Sequence, residues 1–580
     1  MAGRGDHGLA VVTGSLALRR RRRWWRPEGL VGYVVLVLLA FLVLVPVYFV
    51  VVKSLQIEAA PGETISLAPW RTALGDSRLL GALGNTLMLM VAFQVPAMVI
   101  GVFFAWLIAR TDLPLARTLE FVFWIAVFLP VLPVAQGWSL LLDPNSGLLN
   151  TAMQALPFVD SAPLNIYSFW GIVWMHLMTG AIAFKVFLLV PAFRNIDGSL
   201  GSASLMAGAG RVRTFLRIEL PLALPSVLVA LGLSVLFAFR SFELEAYLGT
   251  PFRFDTFATL IYRYVRGDPP MLAQATVLAT LVLGILLPFV VLQRWLLSRQ
   301  AVESLSGTFQ HEKIRLGRWR IPLFLLVLTV GLLTTVVPLV MLGMGTFMKL
   351  FGFFDVTPSP WTMDRWATVL HDPLFLSALK NSVVIGIAAA ALGVIVSAFV
   401  AYFMARIRFS GSWSLDLVSW IPATLPGVIL SLGILWMFLA IPPLRTLYGG
   451  SVILVLALFV VGLTFGVQII RGYIVQVGAE LEESGRVSGG SRMMGLRRIV
   501  APLVMPGLLV AFILLFNGAV TNVATVSLVS TNATQPLALL QLNYLQQNRY
   551  ESAAAAGMVV ALLAIGAAGL VRWLGRKFEL

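Results

Sequence analysis

Long apolar segments separated by short polar ones run through the whole sequence. Each is about 20 residues long, the length that a helix needs to cross a hydrocarbon core about 30 Å thick. A helix satisfies its backbone hydrogen bonds internally, so it can span lipid without leaving polar groups unpaired. The pattern therefore predicts an all-α membrane protein with about twelve transmembrane helices.

The predicted helices form two sets of six, separated by one polar segment long enough to join two bundles. The first set covers roughly 30–52, 80–109, 118–141, 166–189, 221–240 and 271–293, and the second roughly 321–343, 376–405, 415–438, 450–470, 502–518 and 550–571. We therefore predict a basic cytoplasmic tail at 1–29, a first unit at 30–296 with its core at about 81–293, a linker at 297–320, and a second unit at 321–580 with its core at about 377–573.

Composition and charge agree with a membrane location. Hydrophobic residues make up 59% of the chain and charged residues 12%, whereas a soluble domain has about 25% charged residues. The net charge of +16 would suggest nucleic acid in a soluble protein, but here most Lys and Arg residues fall in loops that a cytoplasmic start places inside. We predict a multi-pass protein of the bacterial plasma (inner) membrane with both termini cytoplasmic and no nucleic-acid partner. The chain has no cysteine, and we predict no metal site.

Corresponding landmarks recur in the two sets of helices, as expected of a duplicated transporter. They are an Asn that opens the second helix (Asn85, Asn381), an Arg just after that helix (Arg110, Arg406), a Pro pair in the third helix (Pro130 with Pro133, Pro422 with Pro426) and one Pro in the first helix (Pro46, Pro338). The repetition predicts two tandem six-helix units with pseudo-twofold symmetry.

The segment between the fourth and fifth helices is also repeated. It reads SASLMAGAGRVRTFLRIELP from Ser202 to Pro221, and ESGRVSGGSRMMGLRRIVAP from Glu483 to Pro502. In each copy a Gly permits a backbone bend after a short helix, and a Pro suits the first turn of the next helix, where no amide donor is needed. Such a loop would present a rigid projection to a soluble partner.

These two segments resemble the EAA loop of ABC importer permeases, whose pattern is Glu-Ala-Ala, three residues, Gly, nine residues, Ile-x-Leu-Pro. The resemblance points to binding-protein-dependent transport system inner membrane components of the type I fold, in a fused two-unit form. The first copy has Ser202 in place of the motif Glu, so we expect it to bind its partner less tightly than the second. The docking residues that the resemblance implies are Ser202, Ala203, Gly208, Ile218, Leu220, Pro221, Glu483, Gly489, Ile499 and Pro502.

In that family each loop forms a coupling helix that sits in a cleft of an ATPase subunit. The resemblance therefore implies that the chain lies in a lipid bilayer, and that its protein partners are two ABC ATPase subunits and a periplasmic or lipid-anchored solute-binding protein. The sequence has no G-x-x-x-x-G-K-[ST] phosphate loop, so we expect ATP and Mg to bind the partner subunits and no cofactor to bind this chain. The chain is thus expected to be a permease working by alternating access and not an enzyme.

The stretch from Phe242 to Val265 looks like that of ferric-iron permeases, and more loosely like thiamine, polyamine or phosphonate relatives.

Polar residues follow the fifth helix of each half and admit two interpretations. They either line the translocation pathway where the two fifth helices meet, or form a solvated outer helix end. The residues are Arg240, Glu243 and Glu245 in the first half and Asn517, Thr521 and Asn522 in the second.

A few ionisable residues lie within the predicted spans, where charge is costly. Glu120 and Lys185 fall near predicted cytoplasmic helix ends, and we expect both to reach the membrane interface. His176 is predicted to be packed and hydrogen-bonded. A twelve-helix secondary transporter is the alternative function, but it would need ionisable groups deep in the bundle for ion coupling. Because the spans hold few such groups, the sequence favours the importer permease.

Overall fold

The computed structural model of the protein describes residues 27–56, 65–299, 313–356, 359–407 and 409–577. Within these residues the chain is helical and its β pairing is limited to isolated bridges. Ten of the described helices are long and apolar enough to cross a membrane, and two bent helix pairs raise the number to twelve if each pair is one span. The predicted all-α membrane fold is confirmed. Most of the predicted tail, and residues 300–312 of the predicted linker at 297–320, lie outside the described residues.

The helices of the first half lie close to the predicted spans, with shorter helices between them. They are Pro27–Lys53, Ala68–Gly75, Ser77–Arg110, Ala116–Phe128, Val131–Leu142, Leu148–Gln154, Phe169–His176, Ile182–Arg194, Gly198–Met206, Arg211–Thr214, Leu220–Ala238, Phe257–Arg266 and Leu272–Arg299, with π-helical turns at Leu177–Ala181, Phe215–Glu219 and Glu245–Gly249 and a 3₁₀ turn at Thr250–Phe252.

The helices of the second half follow the same order. They are Arg320–Thr334, Val336–Thr346, Asp364–His371, Pro373–Arg406, Ser412–Thr424, Gly427–Ala440, Pro442–Arg445, Ser451–Gln476, Ala479–Val487, Arg492–Gly495, Ala501–Val520, Leu537–Gln546 and Tyr550–Lys577, with a 3₁₀ turn at Gly317–Trp319 and a π-helical turn at Leu496–Val500. We call Ser77–Arg110 and Pro373–Arg406 the long helices.

The third span of each half is broken, which the sequence prediction of single helices at 118–141 and 415–438 missed. The two arms meet at 105° in the first half and at 110° in the second. Pro130 and Pro426 stand at the breaks with extended backbone, at ψ 140° and 138°. A Pro has no amide hydrogen and disfavours a helical residue before it, so the helix stops there and restarts in a new direction.

The first span of each half packs against the broken span of the other half. Pro27–Lys53 contacts Gly427–Ala440, and Val336–Thr346 contacts Val131–Leu142. The halves are therefore interlocked, since neither can bury its third span without the first span of its neighbour.

Glycines permit this close packing at equivalent places. A Cβ built on Gly137 would lie 2.0 Å from the carbonyl oxygen of Pro338, and one on Gly433 would lie 2.6 Å from that of Pro46. Both distances are too short for a side chain, and small residues allow membrane helices to approach in this way. The single prolines that mark each first helix thus lie at two equivalent contacts between the halves.

The two long helices are fixed by the same set of hydrogen bonds near their N-terminal ends. In both, an Asp caps the helix, a Tyr donates to that Asp, and the landmark Asn donates to a backbone carbonyl. In the first half the Arg78 amide and the Tyr264 hydroxyl donate to Asp76, and Asn85 donates to the carbonyl of Asp255. In the second half the Leu374 amide and the Tyr544 hydroxyl donate to Asp372, and Asn381 donates to the carbonyl of Ala533. The duplication therefore extends to individual side chains.

Candidate functional site

The two repeated loops have the same backbone shape. Each contains a nine-residue helix, Gly198–Met206 or Ala479–Val487, that ends just before a bend. At the bend Gly208 has φ 83° and Gly489 has φ 85°. This left-handed region is open to glycine and strained for other residues, which explains the glycine in both copies.

Each loop proline is the second residue of a helix, Pro221 in Leu220–Ala238 and Pro502 in Ala501–Val520, as the sequence suggested. Helical backbone also precedes these helices, because a short helix after each bend starts at Arg211 or Arg492. Ile218, Leu220 and Pro221 are therefore inside a helix that continues to Ala238. A π-helical turn, Phe215–Glu219 or Leu496–Val500, precedes the proline, and this wider turn accommodates a residue that cannot donate to the regular ladder.

The end of each loop helix presents an apolar side chain to solvent. Met206 is 83% exposed and Val487, the corresponding residue of the second loop, is 89% exposed. Of the other predicted docking residues, Ala203, Gly208, Glu483 and Gly489 are also exposed, Ile218, Leu220 and Ile499 are partly buried, Pro221 and Pro502 are exposed, and the Ser202 side chain is outside the described part.

The small residues of the motif have a packing role. A Cβ on Gly485 would lie 2.9 Å from Cδ1 of Ile499. The loop helix and the following helix therefore approach closely in the second loop, and Ile499 occupies the space that a side chain at position 485 would need.

A cavity of about 850 Å³ lies between the two halves. Its walls include both fifth helices, Leu220–Ala238 and Ala501–Val520, and also Phe237 and Phe465, whose rings stack across the halves at 6.0 Å. Five of the six residues predicted for the pathway line this cavity: Arg240, Glu243, Asn517, Thr521 and Asn522. These side chains thus share one space between the halves, and their role in a translocation pathway stays a prediction.

Glu245, the sixth predicted residue, lies behind the cavity wall. It is buried and accepts hydrogen bonds from Ser241 at 2.8 and 2.9 Å, and its Oε1 lies 2.9 Å from Nε2 of His176. His176 itself lines the cavity and stacks on Phe93 at 4.1 Å. The prediction that His176 is packed and hydrogen-bonded is confirmed, and its ring connects Glu245 with the cavity.

Lys185 does not reach the membrane interface, so that expectation is wrong. Its side chain is 1% exposed, lines the cavity, and donates to Oε1 of Gln94 at 2.5 Å. Gln94 in turn donates to the carbonyl of Ser234 at 2.8 Å. Gly101 makes room for this arrangement, because a Cβ there would lie 2.4 Å from Cβ of Lys185. Glu120 differs: it is partly exposed and pairs with Arg194 at 2.8 Å.

Sequence reasoning thus missed Lys185 and Gln94 as cavity residues, and it underestimated the ionisable groups inside the bundle. A Lys in an apolar span is itself a signal for a polar cavity, but its depth depends on contacts with a distant segment. Three cavity-lining groups have no hydrogen-bond partner among the described residues, Nη1 of Arg240, Oδ1 of Asn517 and Oε1 of Gln541. No three His, Asp or Glu side chains of the described ranges lie close enough to hold a metal ion.

Comparisons with known proteins agree with this architecture. Residues 393–580 match the family described as "Binding-protein-dependent transport system inner membrane component". The chain is 26% identical to the probable ABC transporter permease protein y4fN of Sinorhizobium fredii over 76% of this chain and 77% of that protein. It is 25% identical to the ferric transport system permease protein FbpB of Actinobacillus pleuropneumoniae, over 90% of this chain and 76% of that protein.

A second ferric permease gives the same picture. The putative ferric transport system permease protein FbpB 1 of Haemophilus influenzae is 25% identical over 85% of this chain and 78% of its own length. Each of these similarities extends well beyond the matched C-terminal segment, and the helices of the first half repeat those of the second. The chain is therefore similar to ABC transporter permeases over most of its length, and its fold is that of two tandem type I units in one polypeptide.

Proposed function

We propose that this chain is the transmembrane permease subunit of an ABC importer, which carries a small solute across the inner membrane by alternating access. A periplasmic or lipid-anchored binding protein delivers the solute to the outer side. Two ATPase subunits bind ATP and Mg, dock on the two loops from the cytoplasm, and supply the energy. Both termini lie on the same cytoplasmic side as the loops.

The observation that carries this proposal is the identical form of the two loops. Each has a short helix, an exposed apolar residue at its end (Met206 or Val487), and a glycine bend with positive φ. An exposed apolar side chain on a rigid projection is typical of a protein interface. Two such projections on one chain fit two copies of one partner.

The cavity supports the transport part of the proposal. It lies between the halves, where a relative rotation of the halves would open it to one side and then to the other. Its polar groups stand in a mostly apolar wall, where Lys185 is buried and Arg240 and Glu243 are partly buried. Buried polar groups of this kind are costly unless they serve a ligand or a structural bond.

Ferric iron is the substrate that we favour, because two relatives described as ferric transport permeases are similar over 85% and 90% of this chain. Thiamine, a polyamine or a phosphonate are the other candidates. The iron would be cargo that the binding protein presents, and the cavity would need to bind it only weakly, so that it can leave on the inner side.

The test is uptake into proteoliposomes that contain the chain with its copurified ATPase. We expect uptake of the correct solute to require ATP inside the vesicles and the binding protein outside, and to persist when ionophores collapse the ion gradients. A matched vesicle with a hydrolysis-defective ATPase serves as control. Uptake that stops with the ionophores and ignores ATP would instead establish the secondary transporter.

A further inference from the structure

The last turn of each long helix carries a pair of polar side chains that hold one carboxylate. In the first half, Nε1 of Trp106 donates to Oε2 of Glu219 at 2.6 Å, and Nε of Arg110 donates to Oε1 at 3.1 Å. The spacing of four residues puts Trp106 and Arg110 on one face of the helix. The Arg110 and Glu219 side chains are 3% and 1% exposed, so the ion pair is removed from water.

The second half has the same arrangement at the same helix positions. The Tyr402 hydroxyl donates to Oε2 of Glu482 at 3.0 Å, and Nε of Arg406 lies 2.8 Å from Oε1 as an ion pair. Arg110 and Arg406 also bind backbone carbonyls at corresponding places, those of Ile196 and Val477. We name Trp106, Arg110 and Glu219 the first clamp, and Tyr402, Arg406 and Glu482 the second clamp.

The two carboxylates come from different sides of the loop. Glu482 lies in the loop helix before the bend, whereas Glu219 lies in the π-helical turn after it. Counting from Gly208 and Gly489, the position of Glu482 is occupied by Gly201 in the first loop, and the position of Glu219 by Val500 in the second. One acid of each loop therefore takes part in a clamp, and the position corresponding to that acid in the other loop has no ionisable side chain.

The unused position in the first loop still faces the clamp. A Cβ built on Gly201 would lie 3.7 Å from Oε1 of Glu219 and 3.8 Å from Nη2 of Arg110, which is ordinary van der Waals contact. A side chain at 201 is thus directed at the Arg110 guanidinium, and a carboxylate there could take the place of Glu219. Val500 is buried in the second loop, on the side where Glu219 stands in the first.

We propose that each docking loop is locked to its long helix by one clamped carboxylate, and that either side of the loop can supply it. Arg110 and Arg406, with their acids, are positioning residues: they keep the loop in a fixed orientation against the bundle. Their further role, in passing ATPase motion to the long helix, rests on the proposed docking function, whereas the anchoring of the loop does not.

The chain has no cysteine, so the test can use introduced cysteines alone. Nitroxide labels on Met206→Cys and Val487→Cys in the full-length protein report the distance between the two loops by pulsed electron spin resonance. We expect Glu219→Val to widen the distance distribution at least about twofold, because the Arg110 charge loses its buried partner. Adding Gly201→Glu should restore the narrow distribution. Glu482→Gly, restored by Val500→Glu, is the mirror experiment.

Rescue distinguishes positioning from a general loss of structure. If Glu219→Val prevents folding, recovery of folded protein by Gly201→Glu supports the proposal equally, and Glu219→Gln provides a milder variant for the distance measurement. An unchanged distribution in Glu219→Val and Glu219→Gln, or no restoration by Gly201→Glu, would overturn it. Copurification of the ATPase is scored separately: its absence from the parent protein would reject the docking function while the distance data still decide the clamp.

Discussion

Where the long helix of the first half crosses the fourth span, Lys185 stands against Gly101 and hydrogen-bonds to Gln94. At the same crossing in the second half the two helices exchange these roles. The long helix carries the side chain, Ser397, and the fourth span carries the glycine, Gly466. The packing of a small residue against a larger one is kept, but the charge is present in one half only.

The rest of the cavity also differs between the two halves, whereas the two docking loops are alike. The first half contributes ionisable groups to the cavity and the second contributes the amides and hydroxyl of Asn517, Thr521 and Asn522. The loops match in helix length, bend and exposed apolar end. We interpret this difference through the proposed function. The loops are alike because they bind two copies of one partner, whereas the cavity differs between the halves because it binds one solute that has no twofold symmetry.

The largest effect is expected from charging the ends of both loop helices. Met206→Asp with Val487→Asp should abolish association with the ATPase, because an acid replaces an exposed apolar anchor at each docking site. The exchange variant Met206→Val with Val487→Met is the matched control and should keep the complex. Copurification measures both. Retention of the ATPase by the double Asp variant would show that these loop ends do not form the interface.

Glycine replacement at the bends tests the loop geometry. Gly208→Pro or Gly489→Pro fixes φ near −65°, which is incompatible with the observed positive φ and should cost ATPase binding while the bundle stays folded. Binding is measured by pull-down and folding by size-exclusion chromatography. We expect Gly489→Pro to be the more harmful, since the second loop keeps the motif Glu483. A larger loss from Gly208→Pro would reverse the predicted order of the two sites.

We expect uptake to depend more on the cavity residues of the first half than on those of the second. Lys185→Met is expected to lower uptake about tenfold, equivalent to about 1.4 kcal/mol, with ATPase association unchanged. Ser397→Ala, at the matching crossing, should change uptake little because its hydrogen bond to Leu463 is long, at 3.5 Å. Glu243→Gln and Glu245→Gln should also reduce uptake. Equal effects of Lys185→Met and Ser397→Ala would remove the functional asymmetry.

A smaller difference is expected between the clamps in thermal stability. Arg110→Met leaves Glu219 buried without its ion partner, a change that costs about 3–5 kcal/mol. Glu482 is 12% exposed and keeps some contact with solvent, so Arg406→Met should lower the Tm less. Thermal unfolding of the purified variants in one detergent gives the comparison. A Tm that falls more in Arg406→Met would mean that burial does not set the strength of the clamps.

The sequence predicted those parts of the molecule whose signals are local. The apolar length of each span, the paired landmarks and the loop glycines such as Gly208 are read directly from neighbouring residues. The breaks at Pro130 and Pro426 were missed because both arms of each bent span are equally apolar, so hydropathy continues through the bend.

Contacts between distant segments set the rest. The depth of Lys185 depends on Gln94 and Gly101, which lie on another helix. The spacing of Trp106 and Arg110 could have indicated a polar face at the helix end. It could not have indicated the acid, because Glu219 and Glu482 occupy different positions in their loops.

Site-specific crosslinking from the loop ends tests the central claim most directly. In the cysteine-free chain, a photoreactive maleimide is attached to Met206→Cys or to Val487→Cys, and the intact complex is irradiated. The account predicts that each position alone crosslinks to the ATPase subunit, and that a chain with both cysteines yields a product with two ATPase subunits. Failure of both positions to crosslink to an ATPase that copurifies with the chain would contradict it.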